Sequence, residues 1–200
     1  MLSLETQEHL RSCEALVIGA SAGAVDALSQ LLPVVPRASR IPVVVVVHLP
    51  ANRPSLLPDL FAPRCAAHVR EPGDKQPVSA GTIWFAPSNY HLLLERERTF
   101  SLSIEPPVNF SRPSIDVLFE SAADAFGSKL CALVLTGSND DGARGALGIR
   151  RQGGLVAVQD PRHAEAREMP QAAIIAADPQ VIATLPELAQ LISQVTRAAS

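Results

Sequence analysis

Five valines in succession, Val43 to Val47, constrain the fold of this 200-residue chain more than any other stretch. β-Branched side chains lose rotamer freedom in a helix and fit a pleated strand. Successive strand residues point to opposite faces, so an unbroken apolar run must be covered on both sides. Strands of that kind belong to parallel sheets enclosed between helices.

The rest of the chain keeps that rhythm. Apolar runs predict further strands over 15–19, 82–86, 130–135, 155–159 and 181–184. Helical spacing of three and four predicts helices between them. One covers 24–32, with Val25, Leu28 and Leu32 on a stripe; another opens at Pro113-Ser114 and runs through 125, with Ile115, Leu118, Phe119 and Ala122 on its buried face. Others are expected over 142–152, 171–177 and 187–195. Residues 92–95 and 99–104 flank the charged turn Arg96-Glu97-Arg98 and read as an antiparallel hairpin. Between residues 50 and 87 the prolines read as loop punctuation. The expected fold is α/β: a doubly wound, mainly parallel, Rossmann-like sheet in three layers, with the hairpin at one edge. Ligands of such sheets bind beyond the carboxyl ends of the strands.

With 47% hydrophobic and 18% charged residues the chain can bury one substantial core, and a single domain spanning 1–200 is expected. A net charge of −3 gives no basic footprint, so nucleic acid is not an expected partner. Cys13, Cys65 and Cys131 lack C-x-x-C spacing; Cys131 lies in an apolar run and reads as a small core residue. Residues 1–10 mix acids with apolar residues and do not resemble a secretion signal. The longest apolar run, 41–47, is too short to cross a bilayer. A cytoplasmic protein without direct membrane insertion is expected.

The first strand runs into Gly19-Ala20-Ser21-Ala22-Gly23, a G-x-S-x-G pattern. Glycines relieve crowding where a strand turns sharply into a helix, and the helix N-terminus offers unpaired N–H groups to a developing anion. Such a turn also closes ordinary strand–helix units or cradles a phosphate, so the serine needs a base. His48 ends the valine strand, and Thr136-Gly137-Ser138-Asn139-Asp140-Asp141-Gly142 follows the 130–135 strand. A serine hydroxyl requires an imidazole to take its proton and a carboxylate to orient the imidazole. Ser21, His48 and either Asp140 or Asp141 supply those groups at strand ends on one face of the sheet. The chain order Ser, His, Asp differs from that of α/β-hydrolases. The plainer readings are a histidine bonded to a backbone carbonyl and aspartates capping the next helix.

His91 is a competing base, with a plainer structural or substrate-facing role. Arg112 stands before a helix start and could clamp a carboxylate or an acidic substrate helix, though a solvated loop arginine fits equally. His9, His68 and His163 have no ligand-spaced partners, so neither a metal nor a cofactor is expected.

Taken together the motifs resemble one family over residues 14–195: the catalytic domain of chemoreceptor protein-glutamate methylesterases, the CheB type. The matching segments are Val17 to Gly23, Val46-Val47-His48-Leu49-Pro50, Ala86 to Leu92, Ser111 to Phe119, Leu135-Thr136-Gly137, Asp141-Gly142-Ala143 and Gly153-Gly154. The resemblance implies a triad of Ser21, His48 and Asp141. It places an oxyanion donor at the backbone N–H of Ser138, beside the Ala22 N–H that the turn itself offers, while Arg112 and His91 stay candidate substrate contacts by their positions. It also implies a substrate, γ-glutamyl methyl esters on chemoreceptor cytoplasmic helices, with deamidation of receptor glutamines beside it. Two departures stand out. Ser138-Asn139 replaces the Met-Gly common in the family, and Ala24 stands where a second glycine is usual. Only about fourteen residues precede the first strand, so no receiver domain is expected and a regulatory protein would act in trans. Rival readings are a serine hydrolase or deamidase for another cytoplasmic substrate, a catalytically impaired receptor-docking module, and a nucleotide-binding module.

Overall fold

The five valines form one strand with every side chain buried. Val43, Val45 and Val47 enter one apolar cluster, while Val44 and Val46 enter another on the opposite face. Burial on both faces is what the unbroken run requires, each valine adding about 1.5–3 kcal/mol over exposure.

The computed structural model describes residues 3–48 and 53–197. Met1-Leu2 and the Leu49-Pro50 pair of the second matching segment lie outside them. In chain order the elements are α1 (Leu4–Ser12), β1 (Ala15–Ala20), α2 (Ala24–Leu31), β2 (Val43–Val47), α3 (Leu57–Phe61), β3 (His68–Arg70), β4 (Thr82–Phe85), β5 (His91–Leu94) and β6 (Phe100–Ser103). They continue with α4 (Ile115–Phe126), β7 (Leu130–Val134), α5 (Ala143–Arg151), β8 (Leu155–Gln159), α6 (Glu168–Ala177), β9 (Val181–Ala183) and α7 (Leu185–Thr196).

Seven strands form one sheet in the order β3-β4-β2-β1-β7-β8-β9. Every pairing in it is parallel. The first half of the chain grows outward from β1 on one side and the second half on the other, so the order reverses between β1 and β7. Helices α1, α2, α3 and α7 supply Leu10, Leu28, Phe61 and Leu188 to one core cluster. Helices α4, α5 and α6 supply Phe119, Ile149 and Ala173 to the other. The result is the expected three-layer α/β fold.

The expected hairpin is present as its own two-stranded antiparallel sheet, β5 with β6. It is not hydrogen-bonded to an edge of the seven-stranded sheet, whose edges are β3 and β9. Leu92, Leu94 and Phe100 instead join the cluster containing Trp84 and the buried face of α4. Apolar residues on the hairpin therefore extend the core rather than the sheet.

Three elements carry no clear sequence signal. Strand β3 is the tripeptide His-Val-Arg with no residue fully buried. Helix α3 has five residues and a proline in its first turn. Helix α1 buries only Leu10. Among the described residues no helix is long and apolar enough to cross a membrane.

Candidate active site

Adjacent strands β2, β1 and β7 place their following segments side by side. Backbone bonds stitch these segments together: His48 N donates to Ala20 O at 3.3 Å, and Ser21 N donates to Thr136 O at 2.9 Å. The Thr136 hydroxyl reaches Ala22 O at 2.8 Å and accepts from Ala166 N at 2.9 Å. The turn after β1 is thereby braced against the turn after β7.

The glycines of the β1 turn answer two separate demands. Gly23 has φ +77°, in the left-handed region, and sits immediately before α2. Gly19 lies inside β1, where a Cβ would collide with Ile115 Cγ2. Its absent side chain lets the first residue of α4 press directly on the strand that carries the serine.

Ser21 Oγ lies 3.2 Å from His48 Nδ1, and His48 Nε2 lies 2.7 Å from Asp141 Oδ2. A carboxylate can only accept, so Nε2 carries the proton and Nδ1 presents its lone pair to the serine. His48 keeps 12% exposure and Asp141 none. Ser21, His48, Val25, Asp26, Val47 and Leu57 are among the residues lining an open cleft of about 260 Å³. A larger cavity of about 470 Å³, beside β9 and α7, contains neither imidazole nor thiol.

Asp141 is bound more tightly than the sequence suggests. Its Oδ2 also accepts from Ile115 N at 2.7 Å. Its Oδ1 accepts from Ser114 Oγ at 2.8 Å, Asn109 Nδ2 at 2.9 Å and Asp116 N at 3.0 Å. Ser114 stands at the N-cap of α4, yet its hydroxyl caps nothing in its own helix. The carboxylate from the β7 loop takes the capping position instead, where unpaired N–H groups and the helix dipole favour negative charge. Burial pushes the Asp141 carboxyl up, but bonds from His48, Ile115, Asp116 and Asn109 outweigh it and hold the carboxyl below its ordinary value.

Asp140, the alternative acid, is exposed, and its carbonyl accepts from Ala143 N at 3.1 Å. Of the two neighbours, only Asp141 faces the imidazole.

Behind Asp141 lies a second buried carboxylate, Asp116. Asn109 Nδ2 donates to both, reaching Asp116 Oδ2 at 3.0 Å, and Gly145 N donates to Asp116 Oδ1 at 2.8 Å. Burial and the neighbouring Asp141 charge raise the Asp116 carboxyl above its ordinary value despite those donors.

Two sequence candidates make hydrogen bonds to backbone. His91 is buried, with Nε2 3.1 Å from Pro106 O and Nδ1 accepting from Ser114 N at 3.2 Å. Both ring nitrogens are occupied by backbone, so it is neither a competing base nor a free substrate contact. Arg112 is half-buried, with Nη1 donating to Ile104 O at 2.8 Å and Glu105 O at 3.0 Å. That nitrogen pins the loop that follows β6.

Ala22, next to Ser21 in the chain, and Ser138 are both exposed. Asn139, part of the altered loop, accepts from Asp141 N at 3.2 Å and puts Nδ2 3.5 Å from His48 Nδ1. Asn109, Ser114, Asp116 and Asn139 all escaped assignment to the site from sequence. Asn139 had a signal in its position in the β7 loop, and Ser114 and Asp116 in the matching segment Ser111 to Phe119; Asn109 had none, and all but Asn139 are distant from Asp141 in sequence. Among the described residues no group of three or more His, Cys, Asp and Glu could hold a metal ion.

Comparison with known proteins bears on the fold and the family. The crystal structure of the Thermotoga maritima CheB methylesterase catalytic domain superposes with a TM-score of 0.87 at 27% identity, over 92% of this chain and 99% of that one. A Leptospira interrogans protein, provisionally named a protein-glutamate methylesterase/protein-glutamine glutaminase, is 43% identical over 178 residues, covering 89% of this chain and 92% of its own length. The Trichodesmium erythraeum protein-glutamate methylesterase/protein-glutamine glutaminase is 38% identical over 78% of this chain, which spans 45% of that longer protein. The sequence model described as CheB methylesterase matches residues 16–192, and the chain belongs to the CheB methylesterase family.

Proposed function

We propose that this chain hydrolyses γ-glutamyl methyl esters on chemoreceptor cytoplasmic helices, giving glutamate and methanol, and that it deamidates receptor glutamines by the same route. The supporting observation is the hydrogen-bonded series Ser21–His48–Asp141 at the carboxyl ends of adjacent strands in a CheB-family chain.

Each group has a role set by its position. Ser21 Oγ attacks the ester carbonyl as its proton passes to His48 Nδ1. Asp141, ionised and fixed, holds the Nε2–H and stabilises the imidazolium. The tetrahedral adduct collapses, the C–OCH3 bond breaks, and His48 returns the proton to the departing methoxy oxygen. Water then attacks the acyl-enzyme, again losing its proton to Nδ1. The Ser21 ester bond breaks, leaving the glutamate carboxylate and a restored hydroxyl. An amide substrate loses ammonia in place of methanol. Backbone N–H groups of Ala22 and Ser138 are the proposed oxyanion donors, each worth about 3 kcal/mol in comparable sites.

The substrate assignment is tested with a methylated chemoreceptor fragment presented beside a panel of unrelated methyl esters and primary amides. The proposal expects methanol and a new carboxylate from the receptor in preference to the panel. Turnover of panel members with none from the receptor would favour a hydrolase of different specificity.

A further inference from the structure

Phe110 breaks two rules at once. It is the most exposed large apolar side chain among the described residues, at 104%. It also sits at φ +62°, a left-handed backbone conformation that a bulky residue adopts only under strain.

The local structure shows why that position matters. Val108 N donates to Ser111 O at 3.1 Å and Ser111 N donates back to Val108 O at 2.9 Å. Asn109 and Phe110 are the two central residues of this turn, and both have positive φ. Turns of that pattern prefer Asn followed by Gly. Asn109 meets the preference at the first position; phenylalanine occupies the one where glycine would be unstrained. No packing compensates, because the ring is wholly in solvent. Strain kept without a structural return is expected where a residue serves function.

The turn is not a free loop tip. Asn109 Nδ2 bonds Asp141 at 2.9 Å, one carboxylate away from His48. Arg112 ties the same segment to Ile104 O and Glu105 O, and Ile104 is itself 73% exposed. An aromatic ring is therefore held in solvent on the turn whose preceding residue bonds Asp141. On a helix that presents a glutamyl side chain, residues three and four positions away lie on the same face. Aromatic side chains at such contacts carry large shares of binding energy.

We propose that Phe110 is a docking anchor for the protein substrate, taking an apolar residue of the helix that presents the esterified glutamate. This rests on the reading of the chain as a receptor methylesterase. It adds a residue that selects a helix over a free ester.

The test compares kcat/KM for a methylated receptor fragment with kcat/KM for N-acetylglutamate γ-methyl ester, in the wild-type chain, Phe110→Gly and Phe110→Asn. Both replacements tolerate the left-handed backbone, and Asn avoids the added flexibility of Gly. The proposal expects the receptor-to-ester ratio to fall about tenfold in both variants, mainly through KM for the receptor, with a higher thermal midpoint in Phe110→Gly. A ratio within twofold of wild type overturns it, including parallel losses on both substrates. A lowered midpoint in Phe110→Gly overturns it too, because the ring would then be structural. Absence of receptor turnover by the wild-type chain removes the methylesterase reading, and this inference with it.

Discussion

Ile115 N donates to Asp141 Oδ2 at 2.7 Å, the same carboxylate oxygen that holds the His48 ring. The first N–H of α4 and the imidazole thus converge on one atom. Asp141 is positioned by a helix end belonging to another part of the chain, and its charge is stabilised by backbone and side-chain donors around it.

From this follows an unequal effect of two adjacent aspartates. Asp141→Asn puts an amide where five donors converge, disturbing both the carboxylate's hold on Nε2–H and the cap of α4. A loss in kcat of about 10⁴-fold is expected by comparison with the same change in other serine triads. Asp140→Asn, at an exposed position, is expected to stay within a few-fold of wild type. Steady-state methanol release from both variants checks the order.

Asp141 also makes a signed contribution to stability. Its folded carboxyl is held below the ordinary value, burial being outweighed by its donors, so the unfolded chain binds the proton first as pH falls. The contribution is complete above about pH 4 and is lost as pH falls through the folded value. Asp116 has the opposite sign: burial and the Asp141 charge raise its carboxyl, so its contribution fades as pH rises through its folded value. The midpoint difference between wild type and Asp141→Asn is therefore expected to be largest near neutrality and to narrow in acid. A difference independent of pH would contradict this.

Gly19 links packing to chemistry. A methyl group there collides with Ile115, and overpacking of that kind costs about 1–3 kcal/mol. Because Ile115 N holds Asp141, Gly19→Ala is expected to lower the thermal midpoint and kcat together. In an Ile115→Ala background, which lacks the colliding Cγ2, Gly19→Ala should cost less of both. Thermal unfolding and methanol release on the single and double variants provide the check.

Much of this architecture was legible in the sequence, and the reasons are local. Val43 to Val47 has one reading because a parallel strand is the setting that buries five consecutive β-branched residues. Gly19, Gly23 and Ser21 announce a strand-to-helix turn through steric demands. Ser138-Asn139 was visible as a departure, but the approach of the Asn139 amide to His48 depends on how the loop folds back on β2. The support of Asp141 was hidden for a different reason. Asn109, Ser114 and Asp116 reach it across 25 to 32 positions of chain through the docking of α4. Ser114 even resembles an ordinary helix cap in sequence. His91 shows the converse, a polar residue with chemistry available in principle whose ring nitrogens are both bonded to backbone.

The central claim is that Ser21, activated through His48 and Asp141, hydrolyses a methylated receptor glutamate. Methanol release from a methylated chemoreceptor fragment, measured side by side for the wild-type chain and Ser21→Ala, tests it most directly. The account predicts steady release by the wild type and a fall of at least about 10⁴-fold in the variant. Release that persists undiminished without the serine hydroxyl would contradict it.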